Sequence, residues 1–333
     1  MEIEMEKYNI PGFDELDESC GFIPRDFCSD GNFFAGKDGV KAIWCTGDKK
    51  VELICFSDRT LAYVRSLAGY PAYYPVHSIK REKPTEAVLM DLDGTTVKSE
   101  EFWIWIIEKT VASLLDNPVF SFTDADIPYV SGHSVTEHLK YCINKYCPEQ
   151  TVERARELYF YHTDLEMKKI MEGKGRKDAF RPAPGAREFL WKLKEKKIKI
   201  GLVTSGLYEK AYPEILSAFQ TWGMGDPTDF YDCIITAGTS LGKRRTGTLG
   251  ELEAKPHPWL YAETANVGLG ISFEHRGRVI GIEDSGAGVS AIRLAGFYTV
   301  GISGGNIKES GTSGMCNAYC ETFEDIEKLL QEG

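Results

Sequence analysis

Short apolar runs alternate with amphipathic helical stretches along the chain after Pro84. Such alternation is typical of an α/β fold, in which helices connect the strands of a parallel sheet. Several runs are almost continuously apolar, as expected for strands that are covered on both faces. The pattern predicts five core strands: EAVLMDLD (86–93), IKIGLVTSG (198–206), YDCIIT (231–236), RVIGIEDSG (278–286) and FYTVGI (297–302).

A different, helical pattern separates the first two predicted strands. The periodicity predicts helices over 99–117, 134–146 and 150–172. These helices would form a separate lobe, or cap, inserted directly after the first strand. The segment 181–196 begins with Pro-Gly and continues as an amphipathic run, so we expect it to be a helix of the core.

The residues before Pro84 have a third pattern. KAIWCTG (41–47) and KVELICFS (50–57) predict two short strands joined by a tight turn, whereas 61–80 is rich in aromatic residues and interrupted by prolines. We predict a Rossmann-like parallel sheet core with an inserted α-helical cap and a small β-containing N-terminal unit. The boundaries are 1–84 for the N-terminal extension of unknown role, 85–96 and 181–333 for the core, and 97–180 for the cap.

Composition and charge narrow the class of protein. The chain has 333 residues, of which 39 are basic and 50 acidic, for a formal net charge of -11. This balance argues against a surface that wraps nucleic acid. No apolar run is long enough to span a bilayer, and the acidic N-terminus does not resemble a secretory signal. The nine cysteines are an odd number, which fits reduced thiols, and we predict a cytoplasmic protein with no membrane or nucleic-acid partner.

Polar clusters follow three of the predicted strands: Asp91-Leu92-Asp93-Gly94-Thr95, Thr204-Ser205-Gly206 and Glu283-Asp284-Ser285-Gly286. Ligands of open α/β sheets bind beyond the carboxyl ends of the strands, so we expect the three clusters to meet in one crevice. The carboxyl groups of Asp91, Asp93, Glu283 and Asp284 would repel one another there. A hard divalent cation relieves this repulsion, and oxygen ligands favour Mg²⁺.

Such a crevice suits phosphoryl transfer. A carboxylate can attack phosphorus and form an aspartyl-phosphate, and Asp91 is the expected nucleophile. Asp93 is expected to protonate the leaving oxygen and later to deprotonate the attacking water. Lys255, in Ala254-Lys255-Pro256-His257-Pro258, is expected to balance the charge of the transferred group. The segment of Thr204, Ser205 and Gly206 would bind the remaining phosphate oxygens.

These motifs together resemble the haloacid dehalogenase superfamily of phosphatases and phosphomutases, over residues 85–305. The first motif of that family, D-x-D-G-T, stands at 91–95, and its Thr, Lys and acidic motifs correspond to Thr204, Lys255 and Glu283-Asp284. The resemblance implies a Rossmann-like core, Mg²⁺ and a phosphoaspartate. It also implies that Asp91 and Asp284 bind the metal through side chains and Asp93 through its carbonyl oxygen.

Details point to the subgroup similar to beta-phosphoglucomutase, including a helical cap directly after the first motif and the entry Arg181-Pro182-Ala183-Pro184-Gly185. True dehalogenases lack the second Asp of the first motif, so Asp93 argues against dehalogenation. The cap segment 130–135 has no lysine for a Schiff base, and Val135 stands where beta-phosphoglucomutase has an arginine for a second phosphate. His133 in this segment is a candidate contact to the substrate.

The favoured function is hydrolysis of a small phosphomonoester, with sugar phosphates among the candidate substrates. Two alternatives remain open. The first is a phosphomutase of the beta-phosphoglucomutase type. The second is a non-catalytic binding or regulatory protein that acts through the N-terminal unit. The complete set of motif residues argues against this second alternative.

The connection 237–254, before the motif lysine, is longer than usual for the family. We expect His257 to adjust the loop that carries Lys255. The sequence does not indicate the oligomeric state.

Overall fold

The computed structural model of the chain describes residues 10–14, 16, 18–66, 69–130, 135–176, 179–236 and 253–332. Two compact units make up the fold. The first comprises Met1–Thr96, Ala183–Ala211 and Asp226–Gly333, and the second comprises Val97–Pro182 and Tyr212–Gly225.

Strands and helices alternate after residue 86, as the apolar pattern predicts. The strands are β1 Ile23–Arg25, β2 Ala42–Cys45, β3 Val51–Cys55, β4 Thr60–Arg65, β5 Pro71–Pro75, β6 Ala87–Asp91, β7 Val97–Lys98, β8 Arg181–Pro182, β9 Lys199–Val203, β10 Cys233–Ile235, β11 Val279–Glu283, β12 Tyr298–Ile302 and β13 Ala318–Cys320. The helices are α1 Glu100–Leu114, α2 Ile127–Val130, α3 Val135–Tyr146, α4 Val152–Met171, α5 Ala186–Glu195, α6 Tyr208–Trp222, α7 Pro227–Phe230, α8 Trp259–Glu263, α9 Gly286–Leu294 and α10 Phe323–Glu332.

A parallel sheet forms the centre of the first unit, in the order β10-β9-β6-β11-β12-β13. Its strands β9, β6 and β11 are buried along most of their length because helices cover the sheet. In register, Met90 of β6 lies beside Leu202 of β9 and Ile282 of β11. The three strands that carry the predicted polar clusters are therefore neighbours, and their carboxyl ends share one edge.

The N-terminal residues form an antiparallel sheet in the order β1-β2-β3-β4-β5. The two prolines that interrupt the aromatic segment, Pro71 and Pro75, mark the ends of β5. Proline cannot donate a main-chain hydrogen bond, and β5 is an edge strand, where this loss is tolerated. These two sheets, with their flanking helices, confirm the predicted fold class.

An apolar cluster joins the N-terminal sheet to the parallel core within the first unit. Val51, Leu53 and Val64 from the sheet pack with Val289 and Leu294 of α9. Burial of such side chains stabilises the fold by about 1.5–3 kcal/mol each. The turn between β2 and β3 adds main-chain bonds, in which Gly47 and Asp48 donate to Gly311 and Ser310.

Helices α1, α3 and α4 dominate the second unit, close to the predicted ranges 99–117, 134–146 and 150–172. Phe102 and Ile106 of α1 are buried, and Phe102 packs against Phe180 with ring centroids 4.3 Å apart. Thr151 caps α4 by accepting a hydrogen bond from the Arg154 N–H. Over the part of the chain that the structure describes, no helix is long and apolar enough to cross a bilayer.

Candidate active site

Asp91 ends β6 at the shared edge of the parallel sheet. Its side chain is buried, and its carbonyl oxygen accepts a hydrogen bond of 2.5 Å from Thr96 Oγ1. Burial raises the pKa of Asp91 well above its usual range, and the neighbouring carboxyl group of Glu283 raises it further. A buried carboxyl group at this edge is ionised only if cationic partners compensate for its burial.

Lys255 supplies one such partner. Its Nζ lies 2.5 Å from Asp91 Oδ1 and 2.6 Å from Glu283 Oε1. Burial would lower the pKa of Lys255, but the carboxyl groups of Asp91 and Glu283 outweigh burial and raise it. The ammonium group also lies 5.1 Å from the ring centroid of Tyr261, a favourable cation–π distance. Lys255 is therefore a cation at neutral pH, held between two acidic residues.

Glu283, the last residue of β11, has hydrogen-bond donors at both carboxylate oxygens. Oε1 accepts from Lys255 and, at 3.2 Å, from the hydroxyl of buried Tyr261. Oε2 accepts from the Asp284 N–H, the Ser285 N–H and Ser285 Oγ at 2.9–3.1 Å. This arrangement connects Lys255 to the start of α9 and gives the Glu283 side chain one defined orientation.

Asp284 follows directly and is also buried. Its Oδ1 accepts a hydrogen bond of 3.1 Å from Thr95 Oγ1, within the first motif. The main chain of Gly94 lies so close that a β-carbon there would overlap the Asp284 carboxylate, and Gly94 has a left-handed φ of 87°. Glycine at 94 is thus required both by the turn and by the space that Asp284 occupies.

A buried acidic cluster results, compatible with a divalent cation. Oxygens of Asp91, Glu283 and Asp284 lie within 4.8 Å of one another. With Lys255, these four side chains carry a formal charge of -2 when all are ionised, since three carboxylates outweigh one ammonium group. Hard oxygen donors and this excess of negative charge fit a divalent metal ion such as Mg²⁺. The half-buried Asp93, two residues after β6, adds to the negative field at Asp91.

The predicted phosphate-binding segment follows β9, next to β6. Thr204 is buried; its N–H donates to the Ile235 carbonyl oxygen, and its Oγ1 accepts from the Gly206 N–H at 3.0 Å. Ser205 is exposed. Val203, the last residue of β9, pairs with Asp91 of β6. The segment 204–206 therefore starts one residue beyond the position of Asp91 along the sheet.

Some predicted features lie outside the described residues. These are His133, within residues 131–134, and residues 237–252 of the long connection 237–254. The sequence analysis placed Thr95 in the crevice without giving it a role, and it missed Tyr261 and Gly305, whose main chain lies against Asp284. The D-x-D-G-T motif was the signal that marked Thr95, and its contact with Asp284 came only from the structure. Tyr261 and Gly305 have no local signal, because the side chains they contact are distant in sequence.

Comparison with known proteins identifies the family of the chain. The family model of the haloacid dehalogenase-like hydrolases matches residues 85–296 of the chain. No curated protein matches significantly in sequence. The family match confirms the superfamily predicted from the motifs at Asp91, Thr204, Lys255 and Glu283.

Solved structures share the fold at low identity. The chain is similar to a "putative beta-phosphoglucomutase" from Thermotoga maritima, with 22% identity and a TM-score of 0.52, over 74% of this chain and 99% of that one. A predicted phosphoglycolate phosphatase from Haemophilus somnus has 16% identity and a TM-score of 0.52, over 74% and 99%. A subfamily IA hydrolase of the same superfamily from Geobacter sulfurreducens has 15% identity and a TM-score of 0.51, over 76% and 100%.

Proposed function

Because this chain belongs to the haloacid dehalogenase-like hydrolase family, we propose that it is a Mg²⁺-dependent phosphatase of a small phosphomonoester, with sugar phosphates as first candidates. One observation carries the proposal most directly. The buried Asp91 carboxylate ends a central strand, within 2.5 Å of Lys255 Nζ and beside Asp284. This arrangement combines a nucleophilic oxygen with a fixed cation and a second carboxylate.

The proposed reaction has two displacements at phosphorus. Asp91 attacks the phosphorus atom, the bond from phosphorus to the ester oxygen breaks, and Asp93 gives its proton to the departing alcohol. Asp93 then takes a proton from water, whose oxygen attacks phosphorus and releases inorganic phosphate from Asp91. Lys255 stabilises the negative charge on the transferred group in both steps, and the 204–206 segment offers hydroxyl and N–H donors to its oxygens.

The residues that would hold Mg²⁺ are the side chains of Asp91 and Asp284 and the carbonyl oxygen of Asp93. When bound, the ion neutralises the carboxylates and lowers the repulsion between Asp91 and an anionic substrate. Glu283 was predicted as a further ligand and belongs to the acidic cluster. Since donors engage both of its oxygens, we assign it mainly to orienting Lys255.

A cytoplasmic location remains part of the proposal. All nine cysteines are free thiols. Seven of them are buried: Cys20, Cys28, Cys45, Cys55, Cys142, Cys147 and Cys320. Free thiols persist in reducing compartments. Burial raises the pKa of Cys45 and of Cys55 to about 11, which keeps these thiols protonated at neutral pH.

The test is phosphate release from a panel of phosphomonoesters, with Mg²⁺ and with a chelator, for the native enzyme and for Asp91→Asn. Asp58→Asn is the matched control because it makes the same chemical change at an exposed surface position. We expect Mg²⁺-dependent release by the native and control proteins and a loss of at least about 10³-fold in Asp91→Asn.

Three outcomes contradict the proposal. Release that persists in Asp91→Asn removes Asp91 as the nucleophile. An isomerised phosphate ester without free phosphate identifies a mutase instead. Folded native protein that releases no phosphate from any ester removes the hydrolytic activity and supports a binding function of the N-terminal unit.

A further inference from the structure

The N-terminal sheet touches the loop that carries Lys255. The hydroxyl of Tyr74, on edge strand β5, lies 2.7 Å from Nδ1 of His257, two residues after Lys255. The other ring nitrogen, Nε2, lies 3.3 Å from the carbonyl oxygen of Arg65 at the end of β4 and 2.8 Å from Glu253 Oε2. The imidazole therefore bridges two N-terminal strands and the 253–257 loop.

The protonation of this ring follows from its partners. Nε2 faces a carbonyl oxygen and a carboxylate, which are both acceptors, so Nε2 carries a hydrogen. Burial lowers the pKa of His257, while the Glu253 carboxylate partly opposes this, and the ring is neutral at pH 7. Nδ1 is then an acceptor. Tyr74, whose pKa burial raises to about 12, keeps its proton and donates to it.

Further contacts secure the same loop to the sheet. Ser66, directly after β4, donates to Glu253 Oε1. The Tyr74 ring packs edge-on against His257 and Trp259, with centroids 5.8 and 5.9 Å away. Within the loop, the His257 N–H donates to the Ala254 carbonyl oxygen at 3.1 Å. This bond closes a turn around Lys255, so a displacement of the His257 ring is transmitted to the Lys255 main chain.

We propose that Tyr74 and His257 are positioning residues that hold Lys255 against Asp91, and that the N-terminal sheet is thereby a working part of the active site. The inference rests on the proposed function, in which Lys255 stabilises the transferred phosphoryl group. It assigns a role to the N-terminal residues, which the family match at 85–296 does not cover. Misplacement of a catalytic group by 1 Å can cost on the order of 10²-fold in rate.

The first experiment compares Tyr74→Phe with Tyr73→Phe. Both variants remove one hydroxyl from adjacent residues of β5, but the Tyr73 hydroxyl bonds to Asp30 and Asn32, away from the Lys255 loop. We expect kcat for phosphate release to fall about 10-fold in Tyr74→Phe, with KM unchanged within about two-fold. Tyr73→Phe should keep the native kcat. Thermal melting must show that both variants are folded.

The second experiment measures hydrogen–deuterium exchange of a peptide that contains residues 253–258, in the full-length protein. Loss of the Tyr74 hydrogen bond should speed exchange in this peptide several-fold, and Tyr73→Phe should not. This readout needs no turnover. If the native enzyme releases no phosphate, the proposed function fails, while the exchange experiment still decides whether Tyr74 holds the loop.

A double-mutant cycle closes the test. His257→Gln keeps an amide donor for the Arg65 carbonyl oxygen but removes the acceptor for Tyr74. If the two residues act as one unit, His257→Gln lowers kcat about as much as Tyr74→Phe, and the double variant is no worse than either. Native kcat and native exchange in folded Tyr74→Phe, or additive losses in the double variant, overturn the proposal.

Discussion

The main chain of Gly305 lies directly against Asp284, so that a β-carbon at 305 would overlap the carbonyl oxygen and Oδ2 of Asp284. Asp284 is thus confined between two glycines, Gly94 in the first motif and Gly305 after β12. Neither neighbour can accept a side chain without displacing the carboxylate. The loop after β12 therefore has a direct effect on the acidic cluster.

Gly305→Ala is expected to displace Asp284 and to weaken Mg²⁺-dependent activity by about 10-fold or more, with a loss of about 1–3 kcal/mol in the free energy of unfolding. Phosphate release as a function of Mg²⁺ concentration should show a higher half-saturating concentration. Gly304→Ala is the neighbouring comparison, although its φ of 111° adds backbone strain of its own. An unchanged Mg²⁺ dependence in Gly305→Ala would show that this close approach does not control the site.

Mg²⁺ should stabilise the native protein against heat. An ion that binds only the folded state, at a free concentration of 100 times its Kd, adds about 2.7 kcal/mol to the free energy of unfolding. Asp284→Asn should lose this Mg²⁺-induced increase in Tm. Without Mg²⁺ its Tm should equal or exceed that of the native protein, because one of the mutually repelling carboxylates is gone. Differential scanning calorimetry with EDTA and with Mg²⁺ measures both effects. A full Mg²⁺ shift in Asp284→Asn would exclude Asp284 as a ligand.

The Tyr261 hydroxyl is expected to matter through Glu283. Tyr261→Phe keeps the ring beneath Lys255 but removes the donor 3.2 Å from Glu283 Oε1. Since Tyr261 is fully buried, the change should cost about 1 kcal/mol of stability and lower kcat about three- to ten-fold. Steady-state kinetics and urea unfolding check the two values. Tyr261→Leu also removes the ring, so its stability and kcat should fall further than those of Tyr261→Phe. Equal losses in the two variants would assign the effect to the hydroxyl.

Acid should destabilise the second unit through Asp126. Burial would raise the pKa of Asp126, but hydrogen bonds from Lys145, Thr123, Tyr141 and Tyr146 outweigh it and hold the pKa well below its usual range. A carboxyl group whose pKa is lowered by folding stabilises the protein above its unfolded pKa of about 3.9, and this stabilisation is lost as the pH falls below that value.

Asp126→Asn should therefore lower Tm by roughly 5 °C at pH 7. The difference in Tm between variant and native protein should shrink as the pH falls below about 4. Melting curves between pH 3 and pH 7 test this, with the exposed Asp124→Asn as the control. A difference that stays constant over that range would show that ionisation of Asp126 contributes nothing.

The local pattern of apolar and polar residues was sufficient to predict the central fold and most of the residues of the candidate site. Apolar runs marked β6, β9, β10, β11 and β12, because a strand buried on both faces has to be apolar throughout. Polar residues at the ends of such strands had to meet, because parallel strands end at the same edge of a sheet. The short strand β13, Ala318–Cys320, carried too few residues for a pattern and was missed.

Only the tertiary structure decided the contacts between residues that are far apart in the chain. The Tyr74–His257 bond spans 183 residues, and the Tyr261–Glu283 bond joins α8 to β11. Neither has a local signature, because a tyrosine that donates to a buried partner has the same sequence context as one that packs in the core. Residue spacing thus determined which side chains are candidates for the active site. The packing of the N-terminal sheet and α8 decided how Lys255 is held, since orientation depends on partners from separate elements.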